Sequence, residues 1–218
     1  MGTRVAFQEG LIALTLCLCL GCPSFPGSTV EHGNVAMSIS PSGKTIVFSD
    51  AQADLWLFGL TTKTATRLTS SSEQESTPSF SPDGKTIVYA ATSEDGQGTS
   101  IFSRSIDGDE VRRLTHDQQV SDFRPCFAPD GKSIAFARAH LHRPYSMGGW
   151  TWDDWDVCVM DKDGGNLRRV TQNKHYGING VLFSSDGQTL FYSAEADRRA
   201  SDPSVTVLAV SVDNPEVP

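Results

Sequence analysis

Two histidines in the second half of the chain have the residue type and spacing that suit a metal ion. His140 and His142 alternate in a strand-like segment, and alternate residues of a β-strand face the same side, so both imidazoles could bind one ion. His32, His116 and His175 are not spaced to complete a tetrahedral site. We therefore interpret the pair as solvent-facing residues at the start of a loop, and we predict no metal site and no cofactor.

The stretch 140–156 around these histidines contains three of the four tryptophans of the chain. Tryptophan and tyrosine rings bury a large area and keep a polar group for hydrogen bonding, so an inserted loop of this composition suits recognition of a protein or a sugar. In the alternative interpretation Trp155 packs inside a sheet, as Trp56 would, and the other rings cover an edge. The candidate recognition residues are Tyr145, Trp150, Trp152, Asp153 and Asp154.

No arrangement typical of a catalytic site is visible in the sequence. It has no Gly-x-Ser-x-Gly elbow, no His-Glu-x-x-His zinc motif and no glycine-rich loop before a helix. Four aspartates could offer oxygen ligands to Ca²⁺, but their spacing is not that of an EF-hand. They are Asp54, Asp156, Asp161 and Asp163. We predict a binding protein rather than an enzyme.

Two of the five cysteines, Cys126 and Cys158, lie in strand-like segments, and we expect one strand between them. A disulfide requires Cα atoms within about 7 Å of each other. The two thiols are therefore predicted to be free and buried.

The first residues resemble an export signal. An apolar run at 11–21 follows Arg4; it is shorter than the roughly 20 residues that span a bilayer but has the length of a signal-peptide core. Gly21 and Cys22 resemble the cleavage site of a bacterial lipoprotein, in which the cysteine becomes the lipidated first residue. We predict a lipoprotein-type signal peptide at 1–21, a lipid anchor on Cys22 and a periplasmic location. An ordinary secretion signal and a retained apolar segment are the alternatives.

The charge of the chain argues against two classes of partner. The formal net charge is −8 at pH 7, whereas binding of nucleic acid requires clustered lysine and arginine. The same argument applies to an anionic lipid surface. We therefore predict no nucleic-acid partner and a membrane contact through the lipid anchor alone.

The elements that position all these residues are four copies of one sequence unit. Each copy has an apolar residue, a turn containing glycine, and a β-branched or aromatic run. The copies are 39–48, 80–89, 127–136 and 183–192. A second block follows the first three copies: a short apolar strand, then the closing sequence Arg-Leu-Thr or Arg-Val-Thr at 67–69, 113–115 and 169–171.

The centre of each unit is a tight turn. In the second copy Pro82 presets φ, Asp83 tolerates the next turn position, and Gly84 supplies a left-handed conformation. Because Asp83, Asp130 and Asp186 recur with the repeat, we interpret them as turn residues and not as acid catalysts. Asp-Gly pairs at 107–108 and 163–164 indicate a further turn between the third and fourth strands of a unit.

About four short strands per unit, without a helical period, predict an all-β protein. We expect a β-propeller of about four blades, each a four-stranded antiparallel sheet. After a tether at 22–34, the repeats fill 35–218, with blades at approximately 35–70, 76–116, 122–172 and 178–218. The last blade lacks a counterpart of the Arg-Leu-Thr strand. Either residues 26–31 pair with it and close the ring, or the blades form an open or truncated arc.

The recurring phrases Phe-Ser-Pro-Asp-Gly-Lys at 80–85 and Trp-Asp-Val-Cys-Val-Met-Asp-Lys-Asp-Gly at 155–164, with the closing Arg-Leu-Thr, carry a family resemblance. They resemble the TolB-type (WD-repeat-like) β-propeller repeat over about residues 35–212. The resemblance implies a non-enzymatic periplasmic propeller that works as a scaffold, binding a protein or polymer of the bacterial cell envelope.

Two other interpretations stay open. One is a propeller that binds or cleaves a polysaccharide or oligosaccharide, as some lyases do; a cluster of histidines and carboxylates at the central channel would favour it. The other is a truncated paralogue of a six-bladed TolB-like protein.

Overall fold

The structure is a computed structural model that describes residues 36–92, 98–142, 151–173, 175–195 and 205–213. In these residues it contains 15 strands and no helix. The strands form four antiparallel sheets in which neighbours along the chain pair in order. The prediction of an all-β propeller with four blades is confirmed.

The first two blades each have four strands. Blade 1 comprises β1 (Met37–Ile39), β2 (Thr45–Ser49), β3 (Leu55–Gly59) and β4 (Ala65–Arg67). Blade 2 comprises β5 (Glu75–Phe80), β6 (Thr86–Thr92), β7 (Thr99–Ser105) and β8 (Val111–Arg113). The Asp-Gly pair at 107–108 lies between β7 and β8, where the sequence predicts a turn.

The last two blades differ in strand number. Blade 3 comprises β9 (Val120–Phe127), β10 (Ser133–His142), β11 (Thr151–Asp161) and β12 (Arg168–Arg169). Blade 4 comprises β13 (Gly177–Phe183), β14 (Thr189–Glu195) and β15 (Val205–Ser211), and the described residues give it no fourth strand. The segment 26–31, predicted to close the ring, lies outside the described residues, as do the proposed signal peptide at 1–21 and the tether at 22–34.

Each blade places its turn at one end of the molecule. Gly43, Gly84, Gly131 and Gly187 have φ of +67°, +71°, +69° and +73°, the left-handed conformation that glycine adopts without a steric penalty. Asp83 Oδ1 accepts hydrogen bonds from the Lys85 N–H at 3.0 Å and the Ser81 hydroxyl at 2.6 Å. Asp130 and Asp186 accept the equivalent N–H. The interpretation of these aspartates as turn residues is confirmed.

Turns of neighbouring blades lie close together. A β-carbon placed on Gly131 would lie 3.5 Å from Pro82 Cδ of the preceding blade, and one on Gly84 would lie 3.4 Å from Pro41 Cδ. A β-carbon on Gly187 would lie 3.6 Å from Pro129 Cδ. We call this end of the molecule, defined by the four glycine turns, the turn end. The loop end is the opposite one, where the second strand of each blade connects to the third and where Glu75, Asp122 and Ile178 lie near the starts of the inner strands.

The core lies between the blades. Alternate residues of a strand point to opposite faces of its sheet, so Ile87 and Tyr89 of β6 pack on blade 1 whereas Val88 and Ala90 pack on blade 3. Blade 3 packs on blade 4 through a third cluster that includes Ala135. Each fully buried large apolar side chain contributes about 1.5–3 kcal/mol, so packing between blades is the main source of stability.

The four blades form an open arc in the described part of the chain. The inner strand β5 packs against β1 and β9, and β9 packs against β13. No comparable contact joins the strands of blade 4 to those of blade 1 among the described residues. The last blade therefore does not close on the first through its described strands.

Cys126 and Cys158 lie on β9 and β11 with β10 between them, and neither forms a disulfide. Burial raises the pKa of each thiol to about 12, so both remain protonated and unreactive at neutral pH. The prediction of free thiols is confirmed; Cys158 is buried and Cys126 is partly exposed. No helix in the described residues is long and apolar enough to cross a membrane.

Candidate binding face

The longest hairpin of the molecule lies at the loop end of blade 3. β10 has 10 residues and β11 has 11, against 7 in each of β6 and β7. The two strands stay paired beyond the blade, with Leu141 opposite Trp152 and His142 opposite Thr151. The prediction of a loop over 140–156 is therefore wrong at both ends. β10 continues to His142, and β11 begins at Thr151.

The candidate recognition residues divide into two groups. The backbones of Trp152, Asp153 and Asp154 lie on β11, and Asp154 has a φ of +55°, next to the register shift between Arg138 and His140. Such a bulge bends a hairpin and re-aims its side chains. Tyr145 and Trp150 lie outside the described residues, so their role in recognition stays a prediction.

Trp155 fixes the base of this hairpin. Its ring stacks on Phe123 at 5.3 Å between centroids, and its backbone N–H donates to the His175 carbonyl oxygen at 2.8 Å. The side chain also packs against the apolar cluster between blades 3 and 4. The structure thus supports the interpretation of Trp155 as a packing residue, whereas the role of Trp150 and Trp152 as cover or as recognition residues stays a prediction.

His175 continues the aromatic row onto blade 4. Its ring lies 5.5 Å from that of Tyr192, and its Nε2 is 3.3 Å from the Tyr192 hydroxyl oxygen. Phe123, Trp155, His175 and Tyr192 thus line the junction of two blades directly beneath the hairpin. This row packs the base of the hairpin against blade 4.

Buried ion pairs lie beside the aromatic row. Arg138 donates to both oxygens of Asp122, at 2.7 and 2.9 Å, and Asp122 is 1 % exposed. Burial raises the pKa of Asp122, while the hydrogen bonds and the charge of Arg138 act in the opposite direction. The two charges compensate each other inside the blade, so neither is free for proton transfer or for a ligand.

His140 is the one member of the predicted histidine pair whose side chain is described. Its Nε2 lies 4.0 Å from Asp156 Oδ2 and has no hydrogen-bond partner. Burial and then the charge of Arg169 lower the pKa of His140, so the ring is neutral at pH 7. No group of three or more histidine, cysteine, aspartate or glutamate side chains suited to a metal occurs in the part of the chain that the structure describes.

The closing Arg-Leu-Thr sequence has a structural role that sequence analysis missed. Thr69, Thr115 and Thr171 each accept, through Oγ1, a backbone N–H of the third strand of their blade, from Leu55, Ile101 and Val157 at 2.8, 2.9 and 2.9 Å. The arginine two residues before each threonine pairs with the side chain of the residue that precedes this donor. The pairs are Arg67–Asp54, Arg113–Ser100 and Arg169–Asp156.

This repeated network accounts for two of the four aspartates considered as calcium ligands, Asp54 and Asp156. Asp161 accepts from the Asn166 side chain at 2.7 Å and Asp163 from the Gly165 N–H at 3.1 Å, so both belong to a turn. The signal for the network was present in the sequence: an aspartate or serine 13 residues before each arginine.

A groove of about 620 Å³ lies between blades 2 and 3 at the turn end, far along the strands from the hairpin. Side chains of both charge signs line it, among them Arg104, Arg112, Lys162, Asp83, Glu110 and Asp130. Its walls include the glycine turns of blades 2 and 3 together with residues of β7 and β8. The repeat is interrupted at the loop end of blade 3, and we place the candidate binding face there.

Comparison with known proteins places the chain in a family. Residues 37–147 match the family described as the tricorn protease N-terminal beta propeller domain. An uncharacterized protein of Agrobacterium fabrum is 31% identical over 163 residues, which cover 70% of this chain and 52% of that protein. The chain thus spans about half the length of the curated relative that it matches.

Solved structures share the fold. TolB from Acinetobacter baumannii superposes with a TM-score of 0.60 and 22% identity, covering 84% of this chain and 44% of that one. An oligogalacturonate lyase from Vibrio parahaemolyticus superposes with a TM-score of 0.55 and 13% identity, covering 82% of this chain and 50% of the lyase. At these identities the likeness concerns the fold alone. The chain belongs to the family of tricorn protease N-terminal β-propeller domains.

Proposed function

We propose that this chain is a non-enzymatic binding scaffold of the bacterial cell envelope, exported and anchored to a membrane through Cys22, and that it binds a protein partner at the loop end of blade 3. The observation that carries this proposal is the hairpin of β10 and β11. Its two strands stay paired beyond the last residue that pairs with β9. Trp155 of the hairpin stacks on Phe123, and the connection between the two strands contains Trp150.

The charged groups beside the hairpin favour binding over catalysis. Asp122 is paired with Arg138, and Asp156 with Arg169. A catalytic acid or base must be free to exchange a proton with a substrate, and these carboxylates are committed to arginines within their own blade. Segment 140–156 also supplies tryptophan, tyrosine and aspartate side chains together with Arg143, residue types that suit contact with a protein surface.

The first experiment separates recognition from structural cover. Trp150→Ala with Trp152→Ala should leave the thermal melt unchanged and abolish capture of a defined envelope partner, identified by crosslinking to the wild-type chain in membranes. Gln52→Ala, in the corresponding connection of blade 1, is the matched control and should retain the partner. A lowered melting temperature, or unchanged capture, would contradict the recognition role.

The second experiment concerns the anchor. Cys22→Ala should move the chain from the membrane fraction to the soluble periplasmic fraction, because lipidation requires the cysteine thiol. Retention of the variant in the membrane would contradict the lipid anchor while leaving the binding face untouched. The same Trp variants also test the carbohydrate-binding alternative. That alternative would be favoured if the wild-type chain bound cell-envelope polysaccharide and no protein, and if the Trp variants lost this binding.

A further inference from the structure

The inner strands of blades 2 and 3 carry the same irregularity at the same place. The pairing of β5 with β6 leaves Thr77 and Pro78 without register partners, and the pairing of β9 with β10 does so for Arg124 and Pro125. Thr77 has a φ of +51° and Arg124 a φ of +55°, a region that residues other than glycine rarely adopt. Bulges of this kind re-aim side chains and are over-represented beside functional sites.

The two bulges lie side by side at the centre of the arc. The Arg124 N–H donates to Thr77 Oγ1 at 3.3 Å, and β9 packs against both β5 and β13. The blades of a propeller surround a central channel, so the strands that carry both residues border it. Both side chains are partly exposed. A group that enters the channel can therefore reach them.

The Arg124 guanidinium has no ionic partner in the part of the chain that the structure describes. Arg104 pairs with Asp109, and Arg138 with Asp122, whereas no ion pair or side-chain hydrogen bond involves the Arg124 guanidinium within the described ranges. Burial lowers the pKa of Arg124, and no carboxylate lies close enough to oppose the shift. A charge that is withdrawn from water without a counter-charge carries a desolvation cost, which a bound anion would offset.

The surroundings of Arg124 indicate what kind of anion fits. Arg124 is the one basic residue in the inner strands β1, β5, β9 and β13. Their two acidic residues are already engaged, since Glu75 accepts from the Ser71 hydroxyl at 3.0 Å and Asp122 pairs with Arg138. A polymer with a charge on every unit would bring further negative charges to a chain whose net charge is −8. A single carboxylate suits this position better.

We propose that Arg124, together with the Thr77 hydroxyl, binds one carboxylate of a protein partner, supplied by an aspartate or glutamate in an otherwise uncharged segment. A guanidinium can donate two parallel hydrogen bonds to a carboxylate, and the threonine hydroxyl adds a third donor. The inference rests on the proposed function for the class of partner alone. Phe123, next to Arg124, belongs to the base of the β10–β11 hairpin, so one partner can contact both.

The test selects ligands from a phage-displayed library of random peptides on the purified full chain, with Arg124→Gln as the counter-selection. Peptides that bind the wild type and not this variant should share one aspartate or glutamate. Arg112→Gln is the matched control, because Arg112 is an exposed arginine on the outer strand of blade 2, and it should retain these peptides. A selection that yields no peptide dependent on Arg124 overturns the proposal.

A double-mutant cycle separates direct contact from a structural effect. Arg124→Gln in the chain, and replacement of the acid in a selected peptide by the matching amide, should each weaken binding by at least about tenfold. Both changes together should weaken it little more than either alone, whereas additive losses would refute the contact. Because Arg124→Gln removes a charge that has no partner in the described chain, its melting temperature should not fall.

The carboxylate contact and the hairpin face can fail separately. If the Trp150 and Trp152 variant loses the envelope partner but no peptide depends on Arg124, the carboxylate contact is refuted and the binding face stands. If a peptide depends on Arg124 but the Trp variant keeps the envelope partner, the opposite holds. Trigalacturonate is the carbohydrate probe: calorimetric binding that Arg124→Gln abolishes, in the absence of any Arg124-dependent peptide, would overturn the assignment to a protein.

Discussion

The turn end and the loop end of this propeller are formed by the same strands. The connections between strands are alike in all blades at the turn end and differ from blade to blade at the loop end. At the turn end every blade uses one device, a glycine at φ near +70° with a polar side chain that caps the turn. At the loop end the connections differ: blade 1 uses a tight turn at Asp50, and blade 3 a long hairpin. The turn end thus repeats one local structure in every blade, whereas the loop end is where the blades of this chain differ from one another.

The largest effect should come from breaking an ion pair at the loop end. Asp122→Ala leaves the buried Arg138 charge without its partner, and loss of one member of a buried pair costs about 3–5 kcal/mol. We expect a large fall in the free energy of unfolding, measured by urea denaturation. The double variant Asp122→Leu with Arg138→Met removes both charges and should recover much of the loss; equal destabilisation of the two variants would contradict this account.

The next effect concerns the turn end. Gly131→Ala places a β-carbon on a residue with φ of +69°, a conformation that costs an L-residue roughly 1–2 kcal/mol. The contact with Pro82 at 3.5 Å is an ordinary one, so strain in the backbone is the main term. Gly108→Ala is the control: a β-carbon there lies 3.8 Å from Ser105 and φ is not left-handed. The melting temperature should fall for the first variant only.

The two ends should also respond to pH with opposite signs. Burial raises the pKa of Glu75 at the loop end, so folding favours its protonated form and stability falls as pH rises from the unfolded pKa through the folded one. Hydrogen bonds from Ser81 and Lys85 lower the pKa of Asp83 at the turn end. The carboxylate therefore stabilises the fold at pH values above its pKa in the unfolded chain, and this stabilisation is lost as the pH falls through its pKa in the folded chain.

Unfolding measured between pH 3 and pH 7 tests this difference. The stability of Glu75→Gln relative to the wild type should increase with pH above about 4.5, because the variant no longer carries a buried charge. The stability of Asp83→Asn relative to the wild type should decrease with pH. Slopes of the same sign would show that the two carboxyls do not differ in this way.

The smallest effect should come from Asp130→Ala. The Asp130 carboxylate caps the Lys132 N–H at 2.9 Å, but it is exposed to solvent, so water can replace the bond and the cost should be about 0.5 kcal/mol. A matching substitution of Ser42, which occupies the aspartate position in blade 1, should cost no more. A loss comparable to that of Gly131→Ala would mean that the side chain, and not the glycine, determines the turn.

Local chemistry made much of the fold predictable. Gly84 and its equivalents predict turns because few other residues accept a left-handed conformation, and the β-branched and aromatic run around Ile87 predicts a strand. The separation of Cys126 from Cys158 followed from counting strands. These features depend on neighbours in the sequence.

Features that depend on distant residues were not predictable in the same way. The pairing of Arg67 with Asp54 requires the register of two strands. The length of the β10–β11 hairpin requires that Leu141 pair with Trp152 across the ten residues between them, 142–151. The open arc depends on how four sheets pack together. The candidate binding face was located from composition, but its base of Phe123, Trp155 and His175 came from three separate segments.

The contact between the proline of one turn and the glycine of the next has a structural consequence. The ring of Pro82 lies beside Gly131, and the rings of Pro41 and Pro129 lie in the same way beside Gly84 and Gly187. Successive blades therefore approach one another at this end through the same two residue types, so a change of either residue in one turn would alter the contact with the neighbouring blade.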